Sequence, residues 1–235
     1  LIMALPYFYF ENIIGEEVTL AEDASKHITQ VLRMKAGESL CLTDGKGTKA
    51  IGTIADDHRK RCVVHLKNIE KEEALVPIVS IGISLIKNAA RFEWFLEKAT
   101  EIGVTEIIPL ICERTEKEKF RPDRFQNIVT SAMLQSQQCW MPKLYTPVAF
   151  EKVIVERSWD QKFIAHCMEH EKHPLTSLMQ PASSIILIGP EGDFSEKEVA
   201  WAIEQKFVPV TLGKTRLRTE TAGMVASTLL CNQRR

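Results

Sequence analysis

Ile185-Ile186-Leu187-Ile188 has no polar side chain to turn toward water. Neighbouring residues of a strand point to opposite faces, so an all-aliphatic strand must be covered on both. That requirement fits a parallel sheet with helices packed on each side. The chain beyond Pro77 follows the same plan, with Ile78–Leu85, Glu106–Ile111, Phe163–Cys167, Ile185–Gly189 and Val208–Leu212 reading as strands. Between them, Phe92, Phe95, Leu96, Ala99 and Ile102 recur at helical spacing within Arg91–Ile102. Pro122-Asp123 opens a second helix with Phe125, Ile128, Val129 and Ala132 on one side. Ser195-Glu196-Lys197-Glu198 is a capping box, which starts a third helix through Val199, Ala202, Ile203 and Phe207.

The first seventy or so residues read differently. Their apolar runs are short and turn-bounded: Tyr7–Phe10, Glu17–Leu20, Ser39–Thr43, Lys49–Ile54 and Cys62–Ile69. Asp44-Gly45-Lys46-Gly47 marks a hairpin, because glycine supplies the positive φ such turns require. One helix fits Ala24–Met34, with His27, Val31 and Met34 on one face. Short strands with little helix predict a compact β barrel. Glu70-Lys71-Glu72-Glu73 reads as a charged linker, which divides the chain into a β-barrel domain over 1–73 and an α/β domain over 74–235.

Composition removes several functions. With 30 Lys+Arg against 31 Asp+Glu the net charge is -1, so any nucleic-acid site has to be a local patch. The six cysteines are scattered without a Cys-x-x-Cys, which argues against a disulfide framework or zinc ribbon and for a reducing cytoplasm. No apolar run approaches the roughly 20 residues of a membrane span. There is no phosphate loop, no Gly-x-Gly-x-x-Gly and no Gly-x-Ser-x-Gly elbow. His166, Cys167, His170 and His173 cluster in sequence, but they straddle a strand end and a loop with no second cluster, so no metal is expected.

In open α/β sheets ligands bind beyond the carboxyl ends of strands. Two such ends stand out. One strand runs into Gly189-Pro190-Glu191-Gly192-Asp193-Phe194, where glycines permit close backbone approach and proline stiffens the turn. Another ends at Thr211-Leu212-Gly213 and continues as Lys214-Thr215-Arg216-Leu217-Arg218-Thr219-Glu220-Thr221-Ala222-Gly223, dense in donors and acceptors. Thr219 or Thr221 alone would read as no more than a helix N-cap; both loops in one sheet point to a site.

These loops resemble the ribosomal RNA small subunit methyltransferase E family, SPOUT enzymes with a trefoil-knotted α/β domain behind a PUA-like barrel. The resemblance extends to His27-Ile28-Thr29-Gln30-Val31-Leu32-Arg33, Lys98-Ala99-Thr100-Glu101-Ile102-Gly103-Val104, Glu113-Arg114-Thr115, and Gln135-Ser136-Gln137-Gln138 before Pro142. The family has glycine where this chain has Asp193, and an aliphatic residue where it has Arg216.

The resemblance implies a homodimer that uses S-adenosylmethionine to methylate N3 of a uridine in 16S ribosomal RNA of the small subunit. It implies a cofactor pocket walled by Cys167 and Met168, by Ile188, Gly189, Pro190, Glu191 and Gly192, and by Leu212, Gly213, Leu217, Arg218, Thr221 and Ala222. Uracil N3 becomes a nucleophile only once its proton leaves, and the charge then spreads onto O2 and O4. Arg218 is therefore the candidate to meet that charge. Glu220 is the second catalytic candidate, to orient Arg218 or to assist proton removal, and the sequence leaves both open. Candidate RNA contacts are Arg33 and Lys35, Arg114 with Lys117, Lys119, Arg121 and Arg124, and Lys214 with Arg216. Glu116, Glu118 and Asp123 interleave the middle group, so a solvated face reads as well there. A transfer-RNA ribose methyltransferase and a non-catalytic ribosome-assembly factor are the competing readings.

Overall fold

A computed structural model of the protein describes residues 5–116, 119–156, 158–169 and 171–234. Lys117, Glu118 and His170 therefore lie outside the described residues. The structure forms two compact units: Leu1–Ala74 with Met133–Met141, and Leu75–Ala132 with Pro142–Arg235.

The first unit is built on a five-stranded sheet of β1 (Tyr7–Tyr9), β2 (Glu17–Thr19), β3 (Ser39–Thr43), β4 (Thr48–Asp56) and β5 (Val63–Lys71), in the order β1-β3-β4-β5-β2. β1 runs parallel to β3 and the other pairs are antiparallel. The path ends on β1 and β2, so the expected barrel is a curled, half-closed sheet. The Asp44–Gly47 hairpin forms as expected. The Asp44 carboxylate accepts from the Lys46 and Thr48 amides at 2.7 and 2.9 Å, and Gly45 and Gly47 take φ +66 and +93. β5 runs on to Lys71, through residues read as linker, because Lys49 on β4 pairs with Glu70 and Glu72.

The expected helix at Ala24–Met34 is a short α1 (Glu22–Lys26) followed by one π-helical turn, His27–Val31. Its buried residues are Ser25 and Ile28, whereas His27 is exposed and Val31 is 68% exposed. Met34 is buried as expected, but in place of His27 and Val31 it is Ile28 that fills the core with Leu40, Leu42, Ile54 and Val64.

The second unit holds β6 (Val79–Ser84), α2 (Ala89–Ile102), β7 (Glu106–Ile111), α3 (Pro122–Gln135) up to Ala132, β8 (Lys143–Leu144), β9 (Val148–Ala149) and α4 (Phe150–Glu156). Then come β10 (Gln161–Ala165), β11 (His173–Pro174), α5 (Leu175–Leu178), β12 (Ser184–Ile188), α6 (Glu196–Glu204), β13 (Val208–Thr211) and α7 (Thr219–Cys231). The sheet order is β11-β13-β10-β12-β6-β7-β8 with β9 also on β7, and every pairing is parallel. β8, β9 and β11 have two residues each, too short for periodicity to reveal.

β12 is buried at every position, as its composition requires. Ile185 and Leu187 join Phe150, Val153, Phe194, Val199 and Ala202 in a core that covers one face. On the other face α7 packs on β6 and β12 and against α2. Gly223 permits that approach: a Cβ there would lie 2.7 Å from the Phe95 ring and 2.9 Å from Ile83. Asn88 caps α2 by accepting from the Ala90 amide, and Gly103 ends it at φ +95. Among the described residues no helix is long and apolar enough to cross a membrane.

Candidate functional site

The strands that carry the two polar loops are not neighbours. β10 lies between β12 and β13, with Ala165 opposite Ile188 on one side and Val210 on the other. Because all three are parallel, their carboxyl ends open on the same edge, and the loop after β10 joins the two already singled out. There they enclose a cavity of about 390 Å³, within the size range of small-molecule sites.

The turn after β12 is the most tightly held wall. The Asp193 amide donates to the Pro190 carbonyl at 2.9 Å and closes it. A Cβ on Gly189 would sit 3.1 Å from both the ring and the backbone nitrogen of Phe194, so a side chain there has little room. The Lys87 amide donates to Glu191 at 3.1 Å. The Arg114 guanidinium donates to the Gly192 and Phe194 carbonyls at 3.0 and 3.3 Å. Behind the turn, Ser195 and Glu198 form the expected capping box, and the buried Glu198 carboxylate also accepts from the Glu113 amide. Burial, with Glu198 nearby, pushes the Cys112 thiol far above its ordinary range, which suits a packing group.

The loop after β13 forms the facing wall. Thr211 braces it, its hydroxyl donating to the Gly213 carbonyl at 2.8 Å. Arg218 is the backbone N-cap of α7 but makes no side-chain cap bond. Thr219, which as a lone threonine would have been taken for a cap, instead donates its hydroxyl to the Gly189 carbonyl at 3.0 Å. The first turn of α7 therefore faces the cavity with Thr219 and Ala222. A helix N-terminus concentrates free amides and positive potential.

The loop after β10 supplies the third wall through His166 and Cys167. Its Cys167 amide donates to Asp193 at 2.7 Å, and Lys172 reaches the His166 and Met168 carbonyls at 3.1 and 2.8 Å.

Of the residues expected around a cofactor, Cys167, Ile188, Gly189, Pro190, Glu191, Leu212, Gly213, Leu217, Arg218 and Ala222 line this cavity. Met168, Gly192 and Thr221 do not. Met168 packs against the core under α6, and the Cβ position of Gly192 faces Arg114. Thr211, Thr215, Thr219 and Asp193, which stand in the two loops singled out in the sequence but were not named as cofactor contacts, also line it, as do Ala165, His166 and Val210. The sequence reads His166 as part of the strand Phe163–Cys167, which stops at Ala165 and leaves it at the cavity's edge.

Glu220 sits behind the wall. It is 7% exposed and does not line the cavity. One carboxylate oxygen lies 3.7 Å from the Arg91 guanidinium, and the other has no hydrogen bond. No bond joins it to Arg218, whose exposed side chain forms no hydrogen bond or ion pair among the described residues.

The candidate RNA contacts divide. Arg33, at φ +56, and Lys35 are exposed in the first unit, with Lys35 3.4 Å from Asp57. Lys214 and Arg216 are exposed in the second, and Arg216 lines the cavity. Lys119 and Arg121 are exposed, Arg124 is paired with Glu93, and Arg114 is spent on the turn. Among the described residues no group of three or more His, Cys, Asp and Glu could hold a metal.

Residues 72–231 match the model of the RNA methyltransferase domain, and residues 20–67 match that of the RNA methyltransferase PUA domain. The chain is 30% identical over 223 residues to the ribosomal RNA small subunit methyltransferase E of Synechocystis, covering 92% of this chain and 73% of that protein. Its structure matches a "probable rRNA-methyltransferase" from Porphyromonas gingivalis at TM-score 0.92 and 36% identity, covering 98% of both chains. It also matches, at TM-score 0.85 and 26% identity over 96% of both chains, a ribosomal RNA small subunit methyltransferase E from Neisseria gonorrhoeae solved bound to S-adenosyl methionine. With the RNA methyltransferase domain model matched over most of its length and a relative 30% identical over 92% of this chain and 73% of that protein, the chain belongs to the ribosomal RNA small subunit methyltransferase E family.

Proposed function

We propose that this protein methylates N3 of a specific uridine in 16S ribosomal RNA, using S-adenosylmethionine held in the cavity between Gly189 and Leu217. The observation that supports this most is the meeting of three strand-end loops around one hollow of about 390 Å³, with Arg218, which has no partner among the described residues, in its lining.

The residues present suit that cofactor. Gly189 and Gly213 present backbone without side chains, and Ile188, Val210, Leu212 and Leu217 supply apolar surface for a purine. Thr211, Thr215 and Glu191 supply polar atoms for the ribose and amino-acid parts. When bound, S-adenosylmethionine supplies an electrophilic methyl group on a sulfonium. Arg218 meets the negative charge that uracil O2 and O4 carry once the N3 proton has left, because a guanidinium stays charged and its planar fork suits such oxygens. Thr219 holds the loop that carries Arg218 against the Gly189 turn. Glu220, buried and turned toward Arg91, fixes the first turn of α7 rather than touching Arg218.

In this reading residues 1–73 hold flanking RNA through Arg33 and Lys35, while residues 74–235, with Lys214 and Arg216 beside the cavity, take the target base. The protein acts as a homodimer in the cytoplasm. Small subunits from cells lacking the protein, incubated with it and S-adenosylmethionine, should gain one methyl group that nucleoside mass spectrometry places on uridine N3. Methylation of a ribose, or of transfer RNA instead, contradicts the assignment, and failure to bind the cofactor contradicts an enzymatic role.

A further inference from the structure

Asp193 stands where the backbone turns left-handed, at φ +64. A residue with a Cβ costs roughly 1 kcal/mol or more in that region, and aspartate is among the few that tolerate it, because its short side chain can bond locally. Here the side chain does more than bond locally. One oxygen accepts from the adjacent Phe194 amide at 2.9 Å. The other crosses to a different loop and accepts from the Cys167 amide at 2.7 Å. A carboxylate accepting from a backbone amide is a charge-assisted bond, stronger than a neutral one.

The two ends of that bond differ in how firmly they are held. The turn bearing Asp193 is fixed by Lys87, Arg114 and Thr219. The loop bearing Cys167 connects β10 to β11; His166 is buried and Met168 packs on the core, but Cys167 between them is exposed, and Lys172 bonds the His166 and Met168 carbonyls from within the same loop. Cys167 and Asp193 both line the cavity. The bond therefore transfers the rigidity of one wall to another.

We propose that Asp193 is a positioning residue for the cofactor: its carboxylate straps the Cys167 loop to the Gly189–Phe194 turn, so that this wall of the cavity is set before the cofactor arrives. A preset wall leaves less loop-ordering entropy to be lost on binding. The strap therefore governs cofactor affinity more than methyl transfer. This rests on the reading that the cavity takes S-adenosylmethionine.

Two variants separate charge and acceptor from backbone shape. Asp193→Gly keeps the left-handed turn and deletes the acceptor. Asp193→Asn keeps the turn, tolerates the same φ and retains a neutral oxygen for the Cys167 amide. In ligand-free protein, hydrogen exchange should show the Cys167 amide opening about tenfold faster in Asp193→Gly, with the core strands β6 and β12 unaltered. By titration calorimetry, S-adenosylmethionine should bind about tenfold more weakly, the loss of one charge-assisted bond's contribution. In steady state the loss should fall on KM for the cofactor rather than on kcat. Asp193→Asn should recover part of both effects. Cys167 is the exposed cysteine among the described residues, so its alkylation by iodoacetamide gives a second report on the loop, faster in Asp193→Gly and slowed by cofactor.

Unchanged exchange at Cys167 overturns the strap. Exchange that accelerates equally in β6 and β12 makes Asp193 a global stabiliser and also overturns it. If the wild-type protein binds no cofactor, the assignment of the cavity fails, while the exchange measurement still decides whether the strap exists.

Discussion

The Thr219 hydroxyl donates to the Gly189 carbonyl across 3.0 Å, and both residues are buried. This one bond ties the start of the last helix to the turn after β12, two segments thirty positions apart in the chain. It brings Arg218 and Pro190 to the same hollow.

Thr219→Val should therefore loosen both walls at once. It leaves the Gly189 carbonyl without this partner, at a cost of about 1–3 kcal/mol for an unsatisfied buried group. Thermal melting should show the destabilisation, and calorimetry should show weaker S-adenosylmethionine binding. Thr219→Ser should preserve most of both.

Arg218→Ala should separate binding from chemistry. The guanidinium has no hydrogen-bonding partner among the described residues, so its removal breaks no bond in the fold. Cofactor affinity should change little, while single-turnover methyl transfer slows by about 10²-fold or more, as expected when a charge-stabilising donor is lost. Turnover at the wild-type rate would remove Arg218 from the chemistry.

Gly223→Ala should destabilise without touching the cavity. The added methyl would meet the Phe95 ring at 2.7 Å and Ile83 at 2.9 Å, where α7 lies against α2 and β6. Overpacking of this kind costs about 1–3 kcal/mol. Chemical denaturation should register it as a lower midpoint.

The Glu93–Arg124 pair joining α2 and α3 should appear in the acid limb of stability. Hydrogen bonds from Arg124 hold the Glu93 carboxyl below its ordinary pKa. A depressed folded-state pKa contributes stability above the unfolded-state value, and that contribution is lost as pH falls through the folded-state value. Arg124→Gln should lower stability near neutrality only slightly, since solvent screens the largely exposed arginine. The gap from wild type should close in acid, and a gap constant from pH 7 to pH 3 contradicts this account.

Strand identity was readable wherever periodicity or composition was extreme. β12, apolar throughout, could be placed only inside a covered parallel sheet, and Ser195 announced α6 through its capping box. Strand order was not readable. Nothing in Phe163–Cys167 says that it inserts between β12 and β13, yet that insertion brings His166 and Cys167 into the cavity beside Asp193. His27 and Val31 were misread because periodicity does not fix the phase of so short a helix, and Ser25 and Ile28 face inward instead. Arg114 and Arg124 looked like free cations because sequence shows charge but not the carbonyls and carboxylates that take it up. Glu220 shared a motif with Arg218, but residues two apart at a helix start point in different directions, and Glu220 turned inward to Arg91.

The central claim is that the hollow beyond β10, β12 and β13 holds the methyl donor. A crystal structure of the protein with S-adenosylhomocysteine tests it most directly. The account predicts ligand density touching Gly189–Glu191 on one side and Leu212–Arg218 on the other, with Arg218 at the open end. Density bound elsewhere on the molecule, with this hollow empty at saturating ligand, would contradict it.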